Sequence, residues 1–535
     1  MQRLMRVACA GAAIAVLGAA TGVALADPGE DHGHDAIPVP TPSLPLTPPG
    51  ASGWTFLDAA KKDGTTNSDI AFYKDLAFAG NYDGFRIIDI RHPEALRVLS
   101  DIKCRANQGD VSVFKAYDGR VIMLQSIDRP VTAPDCTAVD TPTTREDEFP
   151  DGTSQPAVGA TPPPGAERRT RARFGYEGLR MWDVTDPTAP RYLRFFRNAC
   201  GSHTHTLVPD PKHGMVHAYI TSYPLGNGIT PQIDRAESEQ LGLTCAAPHS
   251  KISIVSIPLD APENALVHEK GLSADTEYYD PDGPPRTENG VPHGNAPAFQ
   301  ACHDHQAFMP RSIMIASCAG DAQYWDISDP ANPTAGDGEP HTHIKRRDGT
   351  TESFDFIHNA VATWDGKVAA ITDESGGGGA PRCDGDQSKR GFTFFYPLVT
   401  PGTPVDGFKD MLGRYMIPRP QNTEICVSHN GSVLPTRDGR YRYVQAFYQG
   451  GNTHYDFTDP LKPFELGYAD LEDQRGKADS WSTYFYNGTV FVNGGLNRRG
   501  ATGNRGFEAY RVDGIGETPK WEWSNPQTQE AWQAP

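Results

Sequence analysis

A chain of 535 residues is longer than one hydrophobic core usually supports, so it must form several domains or one large repeat architecture. Its 54 glycines and 46 prolines, with few long helical periodicities, favour the repeat architecture. The formal net charge of −18 argues against nucleic acid and anionic membranes as partners, because a polyanion would be repelled.

The N-terminus predicts the location of the protein. Arg3 and Arg6 precede an apolar run of small residues, and Ala24-Leu25-Ala26 fits a cleavage site. We predict a secretory signal peptide over residues 1–26, a secreted protein and no membrane contact after cleavage. A retained anchor helix is the alternative, which the Gly/Ala-rich run disfavours. The Pro-rich residues 27–52 are predicted to be a disordered leader.

The cysteines indicate disulfide bonds. Cys9 lies within the signal, which leaves eight of the nine cysteines, and an even number in an exported chain is typical of disulfides. The simplest pairing is sequential: Cys104–Cys136, Cys200–Cys245, Cys302–Cys318 and Cys383–Cys426. A metal–thiolate cluster is the alternative, but no C-x-x-C motif supports it.

From residue 53 to 525, short stretches of alternating apolar residues are separated by turn residues, which is typical of β-strands. Seven repeats of up to four strands can be traced. The first comprises 69–73, 76–79, 84–90 and 96–99, and the last comprises 481–485, 490–492, 507–510 and 520–523. The sequence therefore predicts an all-β fold, a seven-bladed β-propeller of four-stranded antiparallel sheets with long loop insertions, followed by a tail over 526–535.

The third strands of four repeats share a motif. It reads GFRIIDIRHP at 84–93, GLRMWDVTDP at 178–187, AQYWDISDP at 322–330 and THYDFTDP at 453–460. The alternating half suits a strand, while the carboxylate can hold backbone N–H groups in a turn and proline ends the ladder. This motif resembles the LVIVD-repeat family of secreted β-propellers, which implies the fold and, taken alone, a non-enzymatic interaction module.

The segment YWDISDP at 324–330 also resembles the selenium-binding protein/methanethiol oxidase family. That resemblance implies a metal-dependent thiol oxidase. No catalytic residue is carried over from it.

A histidine pattern lies at the first strands. Counted back from the following turn, equivalent positions in repeats two to seven are Asp110, His205, His305, His358, His429 and Asp479. First strands of a propeller are innermost and parallel, so these side chains are predicted to meet near one mouth of the channel. His203 and His303, two residues earlier, are predicted to face the same side.

These six histidines are the predicted metal ligands, since imidazole suits Cu, Fe or Zn. Asp110 and Asp479 are predicted to hold the imidazole rings from behind. The alternative is that the histidines cap strand ends around a water-filled channel.

Two further motifs lie in predicted loops. His341 and His343 form an H-x-H that could reach the site, and Asp373-Glu374 before four glycines predicts a mobile carboxylate-bearing loop. The first functional hypothesis is a secreted propeller with a His-lined metal site that acts on a small molecule, for example as a metal-dependent oxidoreductase. The second is a non-enzymatic module that binds an extracellular protein or ligand.

Overall fold

The computed structural model is built from short β-strands arranged around an axis. It describes residues 50–62, 64–106, 108–128, 135–137, 178–198, 201–222, 251–271, 287–288, 291–292, 302–318, 321–335, 344–345, 351–352, 357–374, 382–383, 391–403, 405, 410–419, 421–470, 479–494 and 506–527. Regular structure in these residues consists of β-strands and two 3-10 turns, Pro262–Asn264 and Met309–Arg311. The predicted all-β fold class is confirmed.

The strand bounds follow in chain order. The first twenty strands are β1 Gly50–Ser52, β2 Trp54–Ala60, β3 Asn67–Tyr73, β4 Leu76–Asn81, β5 Gly84–Asp89, β6 Arg97–Lys103, β7 Val111–Lys115, β8 Val121–Ile127, β9 Gly178–Asp183, β10 Arg191–Arg197, β11 Thr204–Asp210, β12 Met215–Thr221, β13 Lys251–Pro258, β14 Leu266–Gly271, β15 Thr287–Glu288, β16 Val291–Pro292, β17 His305–Phe308, β18 Ile313–Cys318, β19 Asp321–Asp326 and β20 Thr334–Ala335. The remaining strands are β21 Ile344–Lys345, β22 Thr351–Glu352, β23 Ile357–Ala362, β24 Val368–Asp373, β25 Arg382–Cys383, β26 Thr393–Pro397, β27 Gly413–Tyr415, β28 Gln421–Ile425, β29 Asn430–Leu434, β30 Arg442–Ala446, β31 Asn452–Asp456, β32 Phe464–Asp470, β33 Ser480–Tyr486, β34 Thr489–Gly494, β35 Gly506–Val512 and β36 Trp523–Ser524.

Seven four-stranded antiparallel units, which we call blades I to VII, can be followed in the described residues. Blade I is β3–β6, blade II is β7–β10, blade III is β11–β14, blade IV is β17–β20, blade V is β23, β24, β26 and β27, blade VI is β29–β32, and blade VII is β33–β35 with β2. The first strand of each blade contacts the first strand of the next, and that of blade VII contacts that of blade I. The pair β29 and β33 is parallel, as expected for innermost strands around a channel. The units therefore form a closed ring.

An N-terminal strand closes this ring. Although β2 precedes blade I in the chain, it pairs antiparallel with β35 as the outer strand of blade VII. It covers an edge that would otherwise expose unpaired backbone groups. The predicted fourth strand at 520–523 is wrong, because β36 instead pairs with β3 at the inner edge of blade I. The strand β1 pairs with β32 of blade VI.

Apolar packing between neighbouring blades holds the ring together. Each of the seven blade junctions contains a cluster of buried apolar side chains. Phe72 stacks on Tyr486 between blades I and VII, and Phe395 stacks on Phe457 between blades V and VI, with ring centroids 4.6 Å apart in both pairs. Burial of one such side chain contributes about 1.5–3 kcal/mol. The alternation of apolar residues is what places them at these junctions.

The repeated Asp of the third-strand motif acts as the sequence suggested. Oδ1 of Asp89, Asp183, Asp326 and Asp456 each accepts a hydrogen bond from the backbone N–H two residues later, at 2.8–3.1 Å. This contact closes the turn into the outer strand. The motif is therefore a strand followed by a carboxylate-capped turn.

The disulfide bonds indicate the kind of compartment in which the protein is found. Cys104 is bonded to Cys136 and Cys302 to Cys318, which confirms two predicted pairs. Cys426 is also disulfide-bonded, whereas the side chain of Cys383 and the predicted Cys200–Cys245 pair lie outside the described residues. Disulfides indicate an oxidising compartment.

The described part of the chain contains no helix of the length and apolarity that a membrane span requires.

The Gly84→Ala substitution tests the register of blade I. Gly84 has φ +145°, and a Cβ there would lie 1.9 Å from the carbonyl oxygen of Ile102. Gly119 has φ +92° with nothing within 4 Å of a Cβ, so it is a matched control. We expect Gly84→Ala to lower the free energy of unfolding by about 3 kcal/mol or more and Gly119→Ala by about 1 kcal/mol, measured by urea denaturation. Equal losses would contradict the register.

A second stability prediction concerns His454, which is buried in β31. Burial, helped by the nearby Arg442 cation, lowers its pKa to about 4. Between the unfolded value of about 6.5 and the folded value, the unfolded chain binds more protons, so stability falls as the pH falls through this window. We expect His454→Gln to remove about 1–2 kcal/mol of the stability lost between pH 7 and pH 5, measured by urea denaturation at both pH values. An unchanged pH dependence would refute this assignment.

Candidate metal centre at the channel axis

A ring of side chains, one from each blade, surrounds the axis. Its members, which we call the axial ring, are Tyr82, Gln108, His203, His303, His358, His429 and Trp481. All seven are buried. Six of them lie in or just before the first strand of their blade, and Tyr82 lies in the turn between β4 and β5. Because innermost strands are parallel, their starts meet at one mouth of the channel.

One side of the axial ring is aromatic and amide in character. The Tyr82 hydroxyl donates to Oε1 of Gln108 at 2.9 Å, and Nε2 of Gln108 lies 3.1 Å from Nε2 of His203. Trp481 contacts Tyr82 and His429 edge-to-face, with centroids 5.9 and 5.2 Å apart. These contacts join the two ends of the histidine series around the axis.

Four imidazoles, from blades III to VI, form the other side. Consecutive ring centroids are 4.4 Å apart for His203 and His303, 3.9 Å for His303 and His358, and 4.2 Å for His358 and His429. The Nε2 atoms of His203 and His303 are 2.9 Å apart. His303, His358 and Glu374 each offer a ligand atom within 4.8 Å of the other two. These residues could hold a metal ion.

Two carboxylates lie behind the imidazoles, and one of them is hydrogen-bonded to its ring. Asp304 Oδ1 lies 2.8 Å from Nδ1 of His303, and Asp128 Oδ1 lies 3.4 Å from Nδ1 of His203. Since a carboxylate only accepts, the Asp304 contact places the proton on Nδ1 of His303 and leaves the lone pair on its Nε2. The carboxylate–imidazole pair is the usual arrangement behind a metal-bound histidine.

Glu374 lies on the far side of the imidazoles. Its carboxylate oxygens lie 3.6 Å from Nε2 of His358 and 3.7 Å from Nε2 of His429. The Tyr448 hydroxyl donates to Glu374 Oε1, and Nδ1 of His429 donates to the carbonyl oxygen of Trp481. Tyr448 has φ +45°, a rare backbone conformation for a bulky residue, and its ring centroid lies 4.6 Å from that of His429. A phenol and a carboxylate are thus fixed beside the imidazoles.

Burial keeps the imidazoles of His303 and His358 neutral. The pKa of His303 and that of His358 are lowered well below 6.5, first by burial and then by the neighbouring histidines. A neutral imidazole offers its free nitrogen to a metal without first losing a proton. At pH 7 both residues are therefore ready to act as ligands.

The facing nitrogens of His203 and His303 provide a test of fit. Depending on the tautomer, one of the two Nε2 atoms donates to the other across 2.9 Å, and a bound cation would take the place of that shared proton. Two nitrogens that bind one ion at about 2.0–2.1 Å lie about 3 Å apart. The observed separation fits a shared ion.

The structure differs from the predicted ligand set at two residues. His358 and His429 are joined by His203 and His303, whereas His205 and His305 make their contacts elsewhere. Nδ1 of His205 hydrogen-bonds Oγ of Ser126 at 2.8 Å, and the His305 ring packs on Trp325 with centroids 5.0 Å apart. Burial lowers the pKa of both to about 3. The ring contacts among His203, His303 and His358 show that the equivalent positions in blades III and IV lie two residues earlier than strand counting gave.

His305 also lies close to a pair of sulfur atoms. His305, Cys302 and Cys318 bring possible ligand atoms within 4.8 Å of one another. However, Cys302 and Cys318 are bonded to each other, and a disulfide offers no thiolate. This group is a structural cross-link.

The predicted supporting carboxylates are buried near strand starts. Burial and the nearby carboxylates of Asp69 and Asp304 raise the pKa of Asp110 well above its usual value. Asp479 lies just before β33 and is also buried. Their predicted role behind the histidines stays a prediction, and His341 and His343 lie outside the described residues.

Sequence reasoning did not assign to the site the axial-ring residues Tyr82, Gln108 and Trp481 or the residues beside the histidines, Asp128, Asp304, Glu374 and Tyr448. Asp304 had a signal, since it lies between the two histidines of an H-D-H motif. Glu374 was expected in a mobile loop, yet it is buried at the end of β24. Nothing in the local sequence distinguishes Asp128 or Tyr448, because their role depends on the packing of different blades.

No family model and no curated protein matches the sequence. Among solved structures, a protein from Bacteroides fragilis NCTC 9343 assigned as a 6-phosphogluconolactonase is 9% identical, with 88% of this chain and 98% of that chain covered and a TM-score of 0.41. A similar assignment from Bacteroides uniformis ATCC 8492 is 10% identical, with 87% and 98% covered and a TM-score of 0.40. The computationally designed Ika8 protein is 10% identical, with 85% and 98% covered and a TM-score of 0.38.

Proposed function

We propose that the axial ring binds one transition-metal ion and that the protein uses this ion to act on a small molecule. His203, His303, His358 and His429 are the proposed nitrogen ligands, and Glu374 is the oxygen donor beside them. One observation carries the proposal: four buried imidazoles from four blades converge, and one of them, His303, has Nδ1 held by a carboxylate.

The donor set favours particular metals. Several neutral imidazoles with one carboxylate suit Cu, Fe or Zn, whereas Ca²⁺ and Mg²⁺ prefer oxygen ligands. When bound, such an ion would supply Lewis-acid chemistry and, for Cu or Fe, redox chemistry. An oxidoreductase is therefore the enzyme class that we propose first.

The residues around the imidazoles limit what can react there. Trp481 and Tyr82 present aromatic surface opposite the histidines, and Tyr448 provides a hydroxyl held on Glu374. Because these side chains are buried, the site excludes bulk water and admits only a small substrate. Small thiols are the first class to test, since the resemblance to the selenium-binding protein/methanethiol oxidase family implies them.

We further propose that the protein is secreted. The predicted signal over residues 1–26 and the disulfides Cys104–Cys136 and Cys302–Cys318 support export to an oxidising compartment. The LVIVD-like third strands are also consistent with an extracellular protein.

Metal content of the purified mature protein, without an affinity tag, tests the centre. We expect about one transition-metal ion per chain by elemental analysis, because one converging set of nitrogens is available. The double variant His303→Ala/His358→Ala should retain less than about one-tenth of it, since ligand loss costs more than the 10–100-fold of a supporting residue. Unchanged circular dichroism would show that the fold persists.

Two control variants sharpen this test. His92→Ala removes an exposed imidazole whose side chain is 72% accessible, and His205→Gln removes a buried one outside the axial ring. Both should keep the metal. Loss of metal in His205→Gln with an intact fold would contradict the ligand set, and a metal-free wild type would favour the extracellular interaction module instead.

Oxygen uptake with small thiols tests the proposed chemistry. Turnover should be present in the metal-loaded wild type and absent from the double variant. A metal-loaded protein without turnover on thiols would remove this substrate class but not the metal centre.

A further inference from the structure

The segment after β35 enters the channel from the mouth opposite the histidines. In β36, Trp523 pairs with Tyr73 and Ser524 with Phe72, at the end of β3 rather than at its start. The pairing is antiparallel, so the chain then runs along the axis towards the strand starts. Residues 524–527 are all buried.

Two amide side chains of this segment contact other blades. Oδ1 of Asn525 accepts from the backbone N–H of Val113 at 2.7 Å, and its Nδ2 donates to the carbonyl oxygen of Val113 at 3.0 Å. This pair imitates a strand partner for the inner edge of β7. The segment is therefore tied to blade II as well as to blade I.

Gln527 reaches the layer of the imidazoles. The side-chain Nε2 of Gln527 lies 3.3 Å from both carboxylate oxygens of Asp304. The backbone carbonyl oxygen of Gln527 accepts from Nδ2 of Asn359 at 3.3 Å. Asn359 Nδ2 also donates to Asp304 Oδ2 at 3.0 Å. Asp304 in turn holds Nδ1 of His303. Gln527 is thus joined to a proposed ligand through one carboxylate.

We propose that residues 524–527 are an axial plug that closes the channel below the axial ring, and that Gln527 is a positioning residue that orients Asp304 towards His303. Small molecules then reach the imidazoles only from the mouth at the strand starts. The positioning role rests on the proposed metal centre, whereas the plug does not.

The hydrogen bonds to Asp304 explain why the side chain of residue 527 is an amide. Asp304 receives Nδ1–H of His303, Nδ2 of Asn359 and Nε2 of Gln527. Three donors fix the carboxylate in one orientation without adding a cation that would compete for it. A glutamate in place of Gln527 would keep the shape but replace a donor with an acceptor.

Point variants of the full chain test the proposal. The set is Gln527→Ala, Gln527→Glu, Asn525→Ala and, as control, Lys520→Ala, which changes an exposed residue just before the segment. Each is loaded with Co²⁺, and the release of Co²⁺ to excess chelator and the Co²⁺ absorption spectrum are recorded. We expect release about tenfold faster for Gln527→Ala, faster still for Gln527→Glu, and an altered spectrum in both. Lys520→Ala should match the wild type.

The order of the two Gln527 variants separates positioning from space filling. If the side chain merely filled space, the isosteric Gln527→Glu would behave like the wild type and Gln527→Ala would not. That order would overturn the positioning role.

A measurement without metal tests the plug itself. Hydrogen exchange of the Val113 amide in the metal-free protein should become at least about tenfold faster in Asn525→Ala, because its acceptor is lost. A chain that ends at Trp523 should also let diethyl pyrocarbonate modify His303 faster. If exchange in Asn525→Ala matches Lys520→Ala, the plug is refuted. If the wild type binds no Co²⁺, the proposed function and the positioning role fail together, while the exchange result still decides the plug.

Discussion

Every part of the site depends on the packing of each blade against the next. Each four-stranded sheet buries one face on either neighbour, so no blade can shift without opening two apolar junctions. This constraint fixes the starts of the innermost strands at one level around the axis. Residues separated by about a hundred positions, such as His203 and His303, thereby come within hydrogen-bond distance. The axial ring is a consequence of this closure.

The rigidity of the closed ring of blades matters for the chemistry of the proposed metal centre. Four buried imidazoles near the three buried carboxylates of Asp128, Asp304 and Glu374 would be an unfavourable group in a flexible protein, because each loses hydration. Here hydrogen bonds to Asp304 and to the Trp481 carbonyl satisfy the outward nitrogens of His303 and His429. What remains are Nε2 atoms that lie close to one another or to the Glu374 carboxylate. The protein has thus met the desolvation cost before any ligand arrives.

The sequence predicted the β-propeller fold better than it predicted the residues of the site. Period-two alternation and the Asp of the third-strand motif are local signals, and Asp89 and Asp326 make the turn contacts that the motif suggested. The H-x-H motifs led to the right blades but left two candidate residues in each. Choosing between His203 and His205 required the contacts between blades, since His203 rather than His205 meets the His303 ring. The pairing of β2 in blade VII could not be predicted from the local sequence, since its partner β35 lies at the other end of the repeats.

Closure by distant segments sets the order in which the molecule is built. The buried hydrogen bond from Asn67 to the Gly494 carbonyl joins residues 427 positions apart, and the Asn525–Val113 pair spans 412. Contacts of such sequence separation carry the largest loop-closure entropy and form late in folding. The imidazoles meet only once the blades have closed, so the centre is assembled last. For a chain that folds after export, the ion that fills it would then be drawn from the metals outside the cytoplasm, and the place of folding would help to select the metal.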